Sequence, residues 1–428
     1  MERTSTMQLT ALILFALTYV LMIMLPRHRL IVVAISAACF LFTGILPLPH
    51  VASAIDWNVL MMLAGTMGTV ALFIESGMPA RMADRLLRLA PNVMWVAVIL
   101  SLFAGAISSL VDNVATVLMV APVGLAIAKK LKISPVPLLI SISVSSNLQG
   151  AATLVGDTTS IMLGSYANMT FSDFFFMQGK PGIFWAVELG ALATIPVILF
   201  LFRRDRQPVT ADEIAPVTDY FPSFLLIANI LLLIFASFWK ARPELTNGVI
   251  CLSVCAVGLV RSIFYKKGWY SVHNAVVSMD FETLGLLACL FLVIGGITEA
   301  GVIDQISNLF VRIGGGNLFL TYTLIVWGSV LCSAFIDNIP YVATMLPVVA
   351  GIASIMDCSP YILYFGLLSG ATLGGNLTPI GASSNIATIG ILRKAGYEVT
   401  NRDFTRIGVP FTLAAVTCGY LFCWFVWA

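Results

Sequence analysis

Residues 108–122 read Ser108-Ser-Leu-Val-Asp112-Asn113-Val-Ala-Thr116-Val-Leu-Met-Val-Ala-Pro122, and residues 333–347 read Ser333-Ala-Phe-Ile-Asp337-Asn338-Ile-Pro-Tyr-Val-Ala-Thr-Met-Leu-Pro347. The two stretches place Asp112 and Asp337 at matching positions, 225 residues apart. A carboxylate inside an apolar run is costly in a membrane and marks a functional site by default. Two such carboxylates predict one site that is built from both halves of the chain.

The composition indicates a membrane protein. Hydrophobic residues make up 59% of the 428-residue chain and charged residues only 10%, whereas soluble domains carry about 25% charged residues. Many stretches reach the ~20 apolar residues that cross a bilayer as a helix. The first of them lacks the features of a cleaved signal peptide, so we expect it to be retained. The eight cysteines stand singly, which argues against a metal site or a disulfide framework.

Other polar landmarks recur in the same order in both halves. Gly77 corresponds to Gly301, and the run from Gln149 to Asp157 corresponds to the run from Gly374 to Ala382. We therefore predict an all-α polytopic membrane protein made of two repeats. The predicted divisions are a first repeat over residues 1–202, a cytoplasmic linker over residues 203–219 and a second repeat over residues 220–428.

Each repeat is expected to contain five membrane spans and one re-entrant hairpin. The predicted spans are residues 8–25, 30–46, 57–75, 136–165 and 183–202 in the first half, and 222–239, 246–260, 281–298, 360–391 and 407–427 in the second. The remaining apolar stretches, 93–128 and 318–356, have Asp-Asn at their centres and arms that are slightly short for a crossing, which indicates hairpins. One span per half is expected to break, at Gly150–Ser160 and at Gly374–Asn385, where glycine and hydroxyl side chains crowd.

The distribution of basic residues predicts the orientation. In this layout eighteen of the 23 basic residues, among them Lys266 and Lys267, fall on one side. The other five are Arg3, Lys180, Lys240, Arg242 and Arg312. Because basic loops stay in the cytoplasm, both termini are predicted to lie outside the inner membrane. Five is an odd number of spans, so the second repeat is predicted to be inverted relative to the first.

Inverted repeats with interrupted helices are typical of secondary transporters, whose site lies near the membrane midplane. Buried carboxylates such as Asp112 and Asp337 can exchange a proton or bind a cation, but an aspartate also caps a helix, and both roles remain open. Asn113 and Asn338 could contact a cation or substrate, or hold the hairpin turn. Asp157 faces Ala382 in the other half, which suggests one additional titratable or cation-binding group. The predicted substrate and ion site comprises Asp112, Asn113, Thr116, Gly150, Thr153, Asp157, Thr158, Asp337, Asn338, Gly375, Asn376, Thr378, Ser383 and Asn385.

The hairpin cores and the broken helices contain no lysine or arginine in this layout. A polyanionic substrate would therefore meet the aspartates without a basic partner. A small neutral hydroxy-acid or a cation fits this electrostatic setting better.

At these motifs the chain resembles permeases of the ion-transporter superfamily, in the branch that holds arsenite pumps, NhaD-type sodium/proton antiporters and the melanosomal P protein. The resemblance is strongest at residues 336–347 and 374–385 and spans nearly the whole chain. It implies ten spans, two hairpins with Asp-Asn at their tips, and a dimer whose transport domain moves like an elevator against a scaffold. The stretch Gly156-Asp157-Thr158-Thr159-Ser160 departs from the Gly-Asp-Pro-Pro-Asn of relatives, which puts the ion stoichiometry at that break in doubt.

These observations together predict a secondary active transporter that exports arsenite or antimonite by proton coupling. The alternatives are a sodium/proton antiporter and a cation-coupled carboxylate transporter for citrate or dicarboxylates. A channel is disfavoured, and so is an enzyme, because no nucleophile–base or metal-ligand cluster is present. We expect no cofactor besides a coupling proton or Na⁺. The expected partners are a small inorganic substrate, the lipid bilayer, a second copy of the chain and a separate ATPase subunit, but no nucleic acid.

Overall fold

The computed structural model describes residues 2–209, 215–239, 241–264 and 269–428. In the first half, helices α1 to α10 span Glu2–Met24, Arg29–Phe42, Val51–Ala54, Trp57–Glu75, Met78–Leu87, Val93–Ser108, Asn113–Leu131, Val136–Gly150, Thr158–Tyr166 and Ile183–Leu201. In the second half, helices α11 to α20 span Phe221–Ser237, Thr246–Phe264, Trp269–Val277, Phe281–Glu299, Val302–Ile313, Leu318–Ser333, Asn338–Ile355, Pro360–Gly374, Ser383–Lys394 and Asn401–Trp427. Two short strands, β1 at Phe176–Met177 and β2 at Lys180–Pro181, pair as an antiparallel hairpin. The predicted all-α membrane fold is confirmed.

The same local signals start corresponding helices in the two halves. Asp56 caps α4 by accepting a hydrogen bond from the Val59 amide, and Asp280 caps α14 in the same way. Gly77 and Gly301 precede α5 and α15 with φ angles of 74° and 72°, a left-handed conformation that glycine adopts without a Cβ penalty. These turns explain why glycine recurs at both positions.

Each predicted hairpin consists of two helices separated by a short turn. The turns carry Asp112, which precedes α7, and Asp337, which precedes α17. The first arms, α6 and α16, have 16 residues each and are short, as predicted. The prediction was wrong for the second arms: α7 and α17 have 19 and 18 residues and are long and apolar enough to cross a membrane. Both continue through an internal proline, Pro122 or Pro347, which the sequence analysis did not anticipate.

The two predicted helix breaks are confirmed. In the first half, α8 ends at Gly150 and α9 begins at Thr158. In the second half, α18 ends at Gly374, the chain passes through a short 3₁₀ turn, and α19 begins at Ser383. The interruptions end the helical hydrogen bonding of the backbone there, so backbone groups of the breaks can bond to side chains instead.

Helices α8 and α18 are the most buried in the protein and form its centre. Helix α8 packs against α6, and α18 packs against α16. Three glycines at four-residue spacing, Gly366, Gly370 and Gly374, form the face of α18 that meets α16. A Cβ at Gly370 would lie 2.4 Å from the Val326 carbonyl oxygen. Small residues at this spacing let membrane helices approach closely.

Helices of the two halves also pack against each other around this centre. Helix α4 packs against α12, and α14 packs against α2. These four helices are called the frame. The described part of the predicted linker is bonded to both halves. The Val93 amide donates to the Gln207 carbonyl at 3.1 Å, and the Ala215 amide donates to Asp84 at 2.8 Å, whereas Asp219 forms an ion pair with Arg261 of α12. Linker residues 210–214 and the basic residues Lys240, Lys266 and Lys267 lie outside the described residues.

Among the described residues, eight helices are long and apolar enough to cross a membrane. They are Thr6–Met24, Trp57–Glu75, Asn113–Leu131, Ile183–Leu201, Thr246–Phe264, Phe281–Glu299, Asn338–Ile355 and Asn401–Trp427. Helices α15 and α16 would form a ninth span if counted together, although they are bent by 115° at their junction. The protein is therefore a multi-pass membrane protein, and the inversion of its halves stays a prediction.

The inversion predicts which surface residues a membrane-impermeant thiol reagent reaches. Single cysteines introduced at the exposed positions Lys130 and Arg204 should be labelled only from the cytoplasm, and one at Lys180 only from outside. The native cysteines, of which Cys332 is exposed, are first replaced. Labelling of positions 180 and 204 from the same side would contradict the inverted arrangement.

Candidate functional site

The hairpin turns are joined to the helix breaks by two equivalent threonines. Thr153 donates a hydrogen bond to the carbonyl of Ser109, and Thr378 donates one to the carbonyl of Ala334. The sequence analysis assigned these hydroxyls to the substrate or ion site. In the structure these hydroxyls bond to backbone carbonyls and hold each break against its hairpin, and their part in substrate or ion binding stays a prediction.

Asp112 lies at the first hairpin turn and caps α7. Its carboxylate accepts hydrogen bonds from the amides of Val114 at 3.0 Å and Ala115 at 3.3 Å. Asp112 therefore caps α7, and its role in coupling stays a prediction. Thr116, near the start of α7, donates a hydrogen bond to the Val111 carbonyl at 3.4 Å, which reaches back across the hairpin turn.

Asp337 occupies the equivalent place at the second hairpin but has additional partners. It accepts a hydrogen bond from the Ile339 amide at 3.2 Å and from the Ser383 hydroxyl at 3.0 Å. Its Oδ2 also forms an ion pair with Arg29 Nη1 at 2.9 Å. The sequence analysis expected no basic side chain at the site, and the structure corrects this. Arg29 begins α2, far away in sequence, and the fold carries it to the hairpin tip.

Asp157 links the first break to the second hairpin. Its carboxylate accepts hydrogen bonds from the Thr158 amide at 2.7 Å and from the Thr159 hydroxyl at 3.1 Å, and it caps α9. The amide group of Asn338 donates to the same carboxylate at 3.3 Å. Asp157 is only 3% exposed. It is thus a buried carboxylate held by residues of both halves.

An amide and hydroxyl network joins the first hairpin to the second break through Asn147 of α8. The Asn147 oxygen accepts hydrogen bonds from Asn113 at 3.0 Å and from Ser384 at 2.5 Å. The Asn147 amide group donates to Asn376 at 2.7 Å and to Asn385 at 3.2 Å. Every one of these side chains is buried. Because buried polar groups fix geometry when all of them are bonded, the network aligns the halves.

The remaining predicted residues form hydrogen bonds within the hairpin turns and helix breaks, some through backbone groups and some through side chains. The Gly150 carbonyl accepts a hydrogen bond from Ser160 at 3.2 Å, and the Gly375 carbonyl accepts the equivalent bond from Asn385 at 3.0 Å. Ser383 contacts Asp337, and the Thr158 amide contacts Asp157. The fold therefore brings the predicted residues of both halves together around the hairpin turns and the breaks.

The sequence analysis missed Asn147, Ser143 and Arg29. The hydroxyl of Ser143 donates a hydrogen bond to the Asn385 side-chain oxygen at 2.7 Å. A signal existed for the first two, because α8 carries serine and asparagine at 141, 143, 145, 146 and 147 within a helix that is buried on all sides. Such polar density in a buried helix predicts hydrogen-bonding partners elsewhere in the protein. No comparable local signal identifies Arg29, which stands beside Arg27 and His28 at a helix start.

A cavity of about 840 Å³ lies between α4, α9, α12, α14 and α17. His50 and Glu299, which line it, form a hydrogen bond of 2.8 Å. Its walls also include Ala343 and Leu346 of α17, and none of the fourteen predicted site residues. The cavity therefore borders the second hairpin but is not lined by the predicted site.

The sequence profile of the citrate transporter family matches residues 19–365 and 249–428. An uncharacterised transporter of Mycobacterium tuberculosis is 32% identical over 440 residues, which cover 98% of each chain. The 46 kDa membrane protein of Mycobacterium leprae is 31% identical over the same coverage. The P protein of Mus musculus is 27% identical over 494 residues, covering 96% of this chain and 59% of that protein.

Two solved transporters share the fold. The YdaH transporter of Alcanivorax borkumensis superposes with a TM-score of 0.61 at 12% identity, over 87% of this chain and 86% of that one. MtrF of Neisseria gonorrhoeae, a member of a class of antimetabolite efflux pumps, gives a TM-score of 0.57 at 14% identity, over 89% and 83% of the chains. The predicted family resemblance is confirmed, and the protein is a transporter rather than an enzyme. The chain belongs to the citrate transporter family of membrane transporters.

Proposed function

We propose that this protein is a cation-coupled secondary transporter whose site is the buried junction of both hairpin turns and both helix breaks. The observation that carries the proposal is the hydrogen bond from Asn338 to Asp157. It connects the tip of one hairpin to the break of the opposite half. A carboxylate buried at such a junction changes its interactions when the halves move, which is what coupling a cation to movement requires.

Four helices begin at this junction: α7 after Asp112, α9 after Asp157, α17 after Asp337, and α19 at Ser383. Helix N-termini carry a partial positive charge and favour nearby anionic groups. The carboxylates of Asp112, Asp157 and Asp337 also interact electrostatically with one another. Burying several charged carboxylates together is unfavourable, so a proton or Na⁺ that neutralises them would be bound there. Asp112, Asp157 and Asp337 are the proposed carriers of that cation.

The proposed substrate is arsenite or antimonite, exported as a small neutral hydroxide. Hydroxyl groups can donate to the carboxylates and amide oxygens of the junction, and a neutral solute adds no charge beside three aspartates. The proposal includes alternating access by an elevator movement in a homodimer of the inner membrane. Transport would then be coupled to protons because the aspartate carboxylates of the junction exchange protons during the movement.

A carboxylate such as citrate is the second candidate substrate. Two observations favour it: the family match, and the four helix N-termini, which can hold anionic groups without lysine or arginine. A polycarboxylate would still have to bind beside the aspartates, and simultaneous uptake of cations would offset that repulsion.

Transport by the purified protein in liposomes tests these assignments. The vesicles are given a pH gradient or a sodium gradient and are offered arsenite, sodium and citrate in separate experiments. We expect arsenite flux that depends on the pH gradient and not on sodium. Citrate flux without arsenite flux would assign the second candidate, and sodium-for-proton exchange without either solute would assign an antiporter. The absence of any cation-dependent flux would contradict the proposed function.

A further inference from the structure

The carboxylates of the two hairpin aspartates, Asp112 and Asp337, have different partners. Asp337 pairs with Arg29 at 2.9 Å, and the side chains are 6% and 18% exposed, respectively. Asp112 accepts backbone hydrogen bonds, and among the described residues no basic side chain forms an ion pair with it. Among the described residues, Asp337 therefore has a basic partner and Asp112 does not.

The first two helices contact the second hairpin tip at two points. Besides Arg29 of α2, Tyr19 of α1 donates a hydrogen bond to the Pro340 carbonyl at 2.7 Å and shares one with the Thr344 hydroxyl at 2.5 Å. Helix α2 itself packs against α14, and the second hairpin packs mainly against the broken helix α18 and, through α17, also against α15 and α14. The Arg29–Asp337 pair is thus a contact between the frame and the hairpin tip.

A guanidinium stays charged in a protein, and removing one member of a buried ion pair leaves a costly unpaired charge. A second cation on Asp337 would leave excess positive charge in a buried place for as long as Arg29 remained bound. We propose that Arg29 competes with the coupling cation for Asp337, so that cation binding and the contact of α2 with the second hairpin exclude each other. The inference rests on the proposed cation-coupled transport and adds a residue that links cation binding to hairpin movement.

The mechanism that follows is a release step. Without the cation, Arg29 holds the tip against the frame. When a proton or Na⁺ neutralises Asp337, the guanidinium loses its partner and the hairpin is freed. Among the described residues, Arg29 from α2 is the charged group paired with Asp337. The nearest other titratable groups in the bonding pattern are Tyr19 from α1, which contacts Pro340 of the same hairpin, and Asp157 at the first break, which contacts the neighbouring Asn338.

The test measures the half-saturating concentration of the cation in two ways. One is transport in liposomes, and the other is the rise in the thermal unfolding temperature of the full-length protein in detergent. Each is followed in a pH series without sodium and in a sodium series at fixed pH. In Arg29→Gln we expect the half-saturating concentration to fall about tenfold, within the range of typical coupling between sites. Arg29→Lys, which keeps the charge but loses the planar fork, should show a smaller fall.

Arg27→Gln is the matched control, because Arg27 is an exposed arginine in the same turn. It should leave the half-saturating concentration unchanged. The double variant Arg29→Gln/Asp337→Asn is measured by thermal unfolding, because Asp337→Asn is expected to abolish transport. It should lose the gain in affinity, because the site of competition is removed.

Unchanged cation affinity in both Arg29 variants, or a gain that survives in the double variant, would overturn the competition. The thermal-unfolding measurement does not depend on transport activity. If Arg29 had only a structural role, its replacement would lower the unfolding temperature at every cation concentration without changing the half-saturating cation concentration. Wild-type protein without cation-dependent transport would instead overturn the proposed function, which separates the two failures.

Discussion

Asp112→Asn is expected to leave a folded, membrane-inserted protein whose transport is largely abolished. Asparagine retains an oxygen that can accept the hydrogen bonds from Val114 and Ala115, and it is as good a helix cap as aspartate. The variant therefore removes the charge and the exchangeable proton while preserving the local structure. Transport in liposomes and the unfolding temperature of the purified variant are measured together.

Asp112→Ala separates the capping role from the coupling role. Alanine removes both the charge and the cap, and losing a cap costs about 0.5–2 kcal/mol of stability. We expect this variant to be inactive and also less stable. If Asp112→Asn transports normally with unchanged pH dependence, and only Asp112→Ala is impaired, Asp112 is a cap and nothing more.

The equivalent experiment at Asp337 has a different interpretation because of Arg29. Asp337→Asn is also expected to abolish transport, but it leaves the guanidinium of Arg29 without its partner. Breaking a buried pair by removing one member costs about 3–5 kcal/mol, so reduced stability is expected there. Asp112 therefore provides the cleaner test of coupling, although the sequence alone pointed more strongly to Asp337.

Gly381→Ala is expected to lower the stability of the protein and abolish transport. A Cβ at Gly381 would lie 2.6 Å from the Gly375 carbonyl oxygen and 2.9 Å from the Ala334 carbonyl oxygen. Both neighbours are backbone atoms, which cannot move aside as a flexible side chain can. Overpacking typically costs about 1–3 kcal/mol, and here the displaced backbone belongs to the break and the hairpin turn. Thermal unfolding in detergent and transport in liposomes measure the two effects.

Gly390→Ala is the matched control within α19. A Cβ at Gly390 would meet no atom within 4 Å, and alanine favours a helix over glycine by up to about 1 kcal/mol. This variant should be as stable as the wild type or more stable, with full activity. Gly156→Ala, the same change in the first half, should repeat the loss, because its Cβ would lie 2.5 Å from the Gly150 carbonyl oxygen. Equal behaviour of Gly381→Ala and Gly390→Ala would contradict the close approach at the break.

The sequence by itself determined the class of fold and the places where several helices begin or break. Apolar runs of spanning length require helices in a membrane, because every backbone group must be bonded internally. Aspartates followed by apolar runs mark helix starts, and this correctly placed the turns before α7 and α17. Glycine and hydroxyl clusters correctly placed the breaks between α8 and α9 and between α18 and α19. These features follow from residues that are close together along the chain.

Only the tertiary structure decided which polar groups become partners. Thr153 and Asn147 are both buried polar residues of the same broken helix region, yet one bonds to a hairpin carbonyl and the other joins four side chains of the network. Arg29 reaches Asp337 across 308 residues of sequence. A side chain's partner depends on how helices from distant parts of the chain pack, and neither periodicity nor spacing encodes that choice. Composition and local motifs thus located the hairpin turns and the helix breaks but not Asn147 or Arg29, because packing between distant helices determined which side chains meet there.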